Sequence, residues 1–405
     1  MNVVRTNSMG KLRLAVFNTQ PPHLYFGGVE RRILEVGKRI SGEVDETVYS
    51  GTKAGFKKPV KVKGLGVVPC FSTDVLFPLD NWFFNRTLAN FGMGIEADVY
   101  EAHNASAYAF LKALRKRSPK PPFIQIVHGV LRDEYYQTLK SGSLSPREKL
   151  ANLLTWKLSQ LEAESARNAT LVIAVSNDSA NKAVQLYDLN KTKVRVVPNG
   201  VDPERFKPTE GDSALKDNLG LRDKHVILFV GRLIPRKGLH FLINAAKPVL
   251  KERNDAMFVI VGDGPLKSSL DSHLRSLGIS KNFLLLGDVK EHLLPSLYNC
   301  ADIFVFPSVQ EGQGIALLEA QASAKPIVAF NVGGVKEAVR QSVSALLVEE
   351  GNSREFAESI LKLLSDFALR KRMGANGRKF VLANYTWRIC AENMLKIYCE
   401  AADTY

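Results

Sequence analysis

The sequence predicts an α/β protein built from two doubly wound parallel-sheet domains that face a cleft. Three observations predict it. Short apolar runs alternate with amphipathic helical patterns from about residue 11. A stretch rich in Pro, Gly and charge, "PNGVDPERFKPTEGD" (198–212), interrupts them and reads as a linker. A second alternating series then follows. Strand–helix alternation implies parallel sheets with helices on both faces. The expected domains are 1–200 and 206–385, with a final helix over 386–405.

The elements follow in order. "LRLAVFN" (12–18) reads as the first strand. Gly27-Gly28 and the amphipathic "VERRILEVGKRI" (29–40) come next. Further strands are expected at "DVYEA" (98–102), "PFIQIV" (122–127), "TLVIAVS" (170–176) and "KVRVV" (193–197). The second series is "HVILFVG" (225–231), "MFVIVG" (257–262), "FLLLG" (283–287), "DIFVFPS" (302–308) and "PIVAF" (326–330). Helical segments separate these strands, for instance "GLHFLINAAKPVLKER" (238–253). A helix from roughly Trp387 to Ala402 ends the pattern. "SGSLSPRE" (141–148) reads as a loop, and residues before Lys11 as loose.

Composition narrows the class. The 405 residues are 45% hydrophobic and 24% charged, an ordinary globular balance. The net charge is +14, and more of the excess lies in residues 1–205 than in the rest. A basic half suits an acidic partner such as phosphate or an anionic membrane surface. Cys70, Cys300, Cys390 and Cys399 form no C-x-x-C pair, so a reducing, cytoplasmic compartment is expected. The start of the chain lacks the apolar core of a signal peptide. No apolar run reaches the ~18 residues of a membrane span. D-x-D, H-E-x-x-H and G-x-x-x-x-G-K-[ST] are absent, so neither a catalytic metal nor a Walker-type ATPase is expected. The first strand is not followed by G-x-G-x-x-G, which counts against NAD.

The informative motifs sit just after strands, where this architecture binds ligands. Gly27 and Gly28 leave bare amides at a helix start, which can seat an anion. In "VGRLIPRKG" (230–238), Arg232 and Lys237 are five apart in a punctuated loop, a pair of cations suited to a diphosphate. "QEGQGIALLEAQ" (310–321) carries Glu311 and Glu319 eight apart. A helix starting near Gly314 puts Glu311 in the loop and Glu319 in the second turn, within about 12 Å of each other. Two carboxylates at that span can accept hydroxyl hydrogens at either end of a sugar nucleotide. The amides of Gly312, Gln313, Gly314 and Ile315 lie between them and suit phosphate or hexose oxygens. His128-Gly129 follows a strand of the first domain and is a candidate on that ground. "VGDGP" (261–265) reads as a structural turn, with Pro265 at a helix start.

Together these motifs resemble the family-four retaining glycosyltransferases, which have the GT-B fold of two Rossmann-like domains. The resemblance is carried by "GGVER" (27–31), "HG" (128–129), "VSN" (175–177), "PNGVD" (198–202), "GRL…RKG" (231–238), "GDGP" (262–265), "FPS" (306–308), "EGQGIALLEA" (311–320) and "NVGGVKE" (331–337). It implies a donor sugar nucleotide held mainly by the second domain and an acceptor on the first. It implies Arg232 and Lys237 on the diphosphate, Glu311 on the donor hexose and Glu319 on the ribose. Gly28 would bring its amide to the phosphates, and His128 would lie near the donor sugar. The base would meet backbone near Gly287 to Val289. The final helix would return to the first domain. The reaction would retain anomeric configuration and need no metal or other cofactor. Two positions depart from the family pattern. Gln313 stands where an apolar residue is frequent, so its side chain is expected near the hexose. Glu101 replaces the first His of a frequent D-V-x-H-x-H pattern, and His103 is assigned no role beyond the first-domain cleft.

The expected activity is hexosyl transfer from a UDP- or GDP-sugar to a glycan or lipid-linked acceptor. A sugar-nucleotide epimerase, or a protein that binds sugar nucleotides or nucleic acid without turnover, is the alternative. No nucleic-acid fold signature supports the last. "FSTDVLFPLDNWFF" (71–84) offers Phe71, Leu76, Phe77, Trp82, Phe83 and Phe84 as core or as membrane-facing bulk. "AFLKALRKRSPK" (109–120) reads as a basic amphipathic helix with Lys112, Arg115, Lys116 and Lys120, suited to peripheral contact with anionic lipid.

Overall fold

The computed structural model describes residues 10–25, 27–71, 79–91, 94–117, 120–140, 146–209 and 213–404. The chain divides into two compact units. The first holds Met1–Pro198 with Trp387–Tyr405, and the second holds Asn199–Thr386.

The first unit is built on β1 (Leu12–Asn18), β2 (Val44–Gly51), β3 (Val60–Val62), β4 (Leu65–Cys70), β5 (Val99–His103), β6 (Phe123–Val127), β7 (Leu171–Ala174) and β8 (Val194–Val196). Their order across the sheet is β3-β4-β2-β1-β5-β6-β7-β8. All pairs are parallel except β3 with β4. The second unit carries β9 (His225–Val230), β10 (Ala256–Val261), β11 (Phe283–Gly287), β12 (Ile303–Phe306), β13 (Ile327–Phe330) and β14 (Ala345–Val348). Their order is β11-β10-β9-β12-β13-β14, all parallel. Helices cover these sheets, so central strands such as β9, β12 and β13 are almost wholly buried and read as continuous apolar runs. Each sheet is therefore a doubly wound α/β layer, as the alternation in the sequence implies.

Both sheets reverse their winding beside their first strand, at β1/β5 in one unit and β9/β12 in the other. Loops leaving the carboxyl ends of those strands diverge there and open a crevice. Gly28 follows β1, Arg232 and Lys237 follow β9, and Glu311 and Glu319 follow β12, whereas His128 follows β6 and Val289 follows β11.

Four strands escape the sequence pattern: β2, β3, β4 and β14. In β2, Asp45 and Glu46 interrupt the apolar run and mimic an exposed loop, yet Glu46 is buried. Residues 198–209 are not a free linker. Val201 bridges Thr386, and Val201 and Phe206 are buried in the second core. The helix expected over 109–120 stops at Leu114, and Phe110, Leu111 and Leu114 are buried in the first core. Its apolar face is thus covered by the protein itself. Phe84 is buried while Phe71 and Trp82 are exposed. Leu76, Phe77 and residues 141–145 of the loop expected at 141–148 lie outside the described residues; its last three positions instead open the helix Pro146–Asn168.

Candidate functional site

In the second unit the site is assembled at the β9/β12 switch. The chain leaves β9 through Arg232, forms a short 3-10 turn at Pro235–Lys237, and enters the helix Leu239–Glu252. Gly238 makes this possible. Its φ is +63°, and a Cβ there would lie 2.0 Å from the Pro307 carbonyl at the end of β12. The two strand-end loops therefore touch backbone to backbone. Lys237 is thereby buried beside Glu311, and Nζ pairs with Oε2 while lying 4.8 Å over the Phe306 ring. Arg236 reaches the same oxygen at 3.8 Å. Burial by itself would raise the Glu311 carboxyl; the charges of Lys237 and Arg236 outweigh it and hold the group below its usual range. The Glu311 carbonyl accepts from Gly334 N at 3.0 Å, which ties in the "NVGG" turn. Arg232 is exposed, and no described residue pairs with its guanidinium.

The helix Ile315–Ala322 begins directly after Gly314, its N-cap. Gly312, ahead of it, and Ile315, its first residue, are half-buried. Glu319 falls in the second turn, is buried, and accepts from the Tyr298 hydroxyl at 2.9 Å. Val289 is half-buried just past β11. Gln313 is a correction. It is buried, its Oε1 accepts from Asn199 N at 2.7 Å, and its Nε2 donates to Asn199 O at 3.2 Å. Both ends of the amide are committed to backbone, so the side chain clamps the start of the unit and is not turned toward a hexose.

In the first unit, Gly28 opens the helix Gly28–Ile40 with Gly27 as its N-cap. The Gly27 amide there is not vacant. The Glu30 carboxylate folds back so closely that a Cβ on Gly27 would lie 2.3 Å from Oε2, and Asn18 Nδ2 donates to Oε1 at 3.0 Å. This is one half of a capping box. His128, half-buried, lies at the end of β6. Its Nε2 is 2.8 Å from His103 Nδ1. His103 Nε2 is 3.0 Å from Glu101 Oε1, and the Tyr398 hydroxyl donates to Glu101 Oε2 at 2.5 Å. Arg32, also buried, donates to the Val197 carbonyl at 2.9 Å and packs on Met394. Burial, with the charges of His103 and Arg32, pushes His128 well below the usual imidazole range.

The second unit thus places Lys237, Glu311 and Glu319 at its β9/β12 switch, whereas in the first Gly28 follows β1 and His128 follows β6. Sequence reasoning missed Tyr298, Arg32 and Tyr398, and gave Glu30 and Glu101 no role. One signal was available, a glutamate inside the buried strand "VYEAH".

Residues 213–380 match the family Glycosyl transferases group 1, and residues 26–205 match Glycosyltransferase Family 4. An uncharacterized glycosyltransferase of Methanocaldococcus jannaschii is 30% identical over 305 residues, covering 74% of this chain and 75% of that relative. The chain belongs to the group 1, family-four glycosyltransferases. A D-inositol 3-phosphate glycosyltransferase of Salinispora arenicola is 35% identical over 260 residues, which span 60% of this glycosyltransferase and 58% of that relative. The Anabaena protein HepE, solved in complex with UDP-glucose, superposes with a TM-score of 0.77 at 20% identity, over 96% of this chain and 100% of its own. That likeness shows the fold, GT-B, in this glycosyltransferase. Among its described residues no helix is long and apolar enough to cross a membrane.

Proposed function

We propose that this glycosyltransferase moves a hexosyl group, with retention, from a nucleotide diphosphate sugar to a glycan or lipid-linked acceptor, without a metal. The donor is a UDP- or GDP-sugar. The observation that carries the reading is the Lys237–Glu311 pair packed beside the Glu319 helix at the β9/β12 switch. A buried cation, a half-buried carboxylate and a buried carboxylate brought together by two loops suit a ligand that alternates hydroxyls with phosphates. In this reading the donor's diphosphate takes Lys237 from Glu311 and recruits the exposed Arg232. Glu311, released, accepts from hexose hydroxyls. Glu319 accepts from the ribose, and the amides of Gly312, Gly314 and Ile315 face the phosphates. Backbone at Val289 meets the base. The first unit contributes Gly28 and His128 and takes the acceptor.

These groups supply the chemistry by stabilising charge on the departing diphosphate. The acceptor attacks from the face the diphosphate leaves, and a phosphate oxygen takes its proton. The UDP-glucose found in the Anabaena neighbour supports a nucleotide-sugar donor. The test is incubation with a panel of UDP- and GDP-sugars, reading released nucleoside diphosphate with and without acceptor and with EDTA. Acceptor-dependent release, unchanged by EDTA, is expected. Epimer formation without release would replace the reading by sugar epimerisation.

Peripheral contact with anionic membrane belongs to this reading through the basic residues Lys112, Arg115, Lys116 and Lys120, not through the buried apolar face behind them. Co-sedimentation with anionic vesicles at low salt is expected; equal binding to neutral vesicles would refute it.

A further inference from the structure

We propose that Lys53 receives a phosphate group carried by the acceptor, and that Asp80 holds the lysine until that phosphate arrives. That the ligand is the acceptor rests on the reading given above; the anion site itself does not.

The site is built where β1 and β2 end. The loops that leave them are joined by Gly51 N, which donates to Thr19 O at 3.1 Å. β2 runs out into a short 3-10 turn, Lys53–Gly55, closed by Phe56 N on the Lys53 carbonyl at 3.2 Å. Against these loops stands the start of the helix Leu79–Phe91, where Asn81 Nδ2 donates to Thr19 Oγ1 at 3.2 Å. Lys53 and Asp80 are both buried here, and Nζ pairs with Oδ2. This is the carboxyl edge of the sheet, the edge that also carries Gly28 and His128. A second unsatisfied group lies in the same loops. His23 stands edge-on to Phe56, ring centroids 4.7 Å apart, and its buried Nδ1 has no hydrogen-bond partner among the described residues. Such an atom is costly unless a ligand meets it.

A buried ion pair by itself adds little stability, because desolvating two charges offsets their attraction. The two partners are also unequal. Asp80 lies in the first turn of its helix, where the dipole favours a negative charge, and its Oδ1 accepts from Asn81 N at 2.7 Å. The Lys53 ammonium pairs, among the described residues, with Asp80 alone. Asp80 can therefore keep its place when the lysine turns away, whereas the lysine needs an anion to stay buried. The second unit repeats the arrangement: Lys237 ends a 3-10 turn after β9 and is buried beside Glu311. Chemistry chooses the anion. Asp80 is tethered beside the lysine at high effective concentration, so a dissolved carboxylate cannot displace it. A phosphomonoester carries a charge of about −1.5 to −2 at neutral pH and three acceptor oxygens, and an ammonium binds it as a point charge.

The test is calorimetric titration of the intact protein, saturated with UDP, with inorganic phosphate and, at equal ionic strength, with acetate. Phosphate should bind and acetate should not; equal binding of the two, or binding of neither, would overturn the proposal. Lys53→Met should weaken phosphate about tenfold or more, the worth of a charged hydrogen bond. Asp80→Asn should tighten it. A pair that only braces the fold would lower the melting temperature in both variants and leave phosphate affinity unchanged, which would also overturn the site. Lys53→Met with Asp80→Leu removes both buried charges, so it should stay folded and lose phosphate in the same way. Repeating the titrations without UDP separates this site from the donor reading: the difference between wild type and Lys53→Met should persist even if UDP fails to bind. Glucose 6-phosphate and vesicles containing phosphatidate then distinguish a soluble phosphomonoester from a lipid-borne one. Lys53-dependent binding of either names the source, and dependence of neither would overturn the acceptor role.

Discussion

Lys237 and Glu311 each hold the other's charge in a place where neither could stay alone. Removing one partner of such a pair leaves a buried charge and costs about 3–5 kcal/mol. Lys237→Ala should therefore lose both turnover and stability. Lys237→Met with Glu311→Leu should recover the stability, read by denaturant unfolding, and none of the turnover. Recovered turnover would take both residues out of the donor site. Glu319→Ala removes the acceptor of the Tyr298 hydroxyl. It should weaken donor binding by calorimetry, and an unchanged affinity would refute the ribose assignment. The positions of Glu311 and Glu319, one in the loop and one in the helix, were legible because a glycine break and an apolar run announce a helix start. The roles of Gln313 and Glu101 were not legible. Their partners lie 114 and 297 residues away, and no local pattern encodes such a distance.

At the scale of elements, strands buried on both faces were readable and the others were not. β9, β12 and β13 are continuous apolar runs; β2 carries a charge pattern that belongs to a buried glutamate. Helix Phe367–Asn384 shows a constraint that composition hides. A Cβ at Gly374 would stand 2.0 Å from the Ala324 carbonyl, just past the helix that carries Glu319. Gly→Ala inside a helix ordinarily stabilises by about 1 kcal/mol. Here Gly374→Ala should lower the melting temperature and disturb donor binding. Helix Pro146–Asn168 holds Glu162, which accepts from Tyr187 Oη and from Leu131 N, three residues beyond His128. Burial pushes its carboxyl up to about 7. Its folded pKa exceeds the unfolded value of about 4.5, so between those values the folded chain holds the extra proton. Stability must fall as pH rises through that window, by about 3 kcal/mol if the full shift is expressed. Glu162→Gln should raise the melting temperature at pH 8 and change it little at pH 5. An equal gain at both would refute the shift.

At the scale of the molecule, the two units are unequal in sequence terms. Asn199–Thr386 is continuous, and its two ends meet where Val201 pairs with Thr386. Expressed alone, 199–386 should unfold cooperatively and retain affinity for nucleoside diphosphate. A fragment without a cooperative transition would show that it depends on the rest of the chain. The first unit has no such independence, because Tyr398 and Met394 sit against Glu101 and Arg32.

That closure sets an order in time. During synthesis the first unit's sheet strands emerge before any of the second unit, yet their buried glutamate and arginine wait for the helix Trp387–Thr404. The part made first is finished last. A ribosome that stalls inside the second unit leaves Glu101 without the Tyr398 hydroxyl. An incomplete chain of this kind carries every cation of the donor loop and still lacks the support beneath His128.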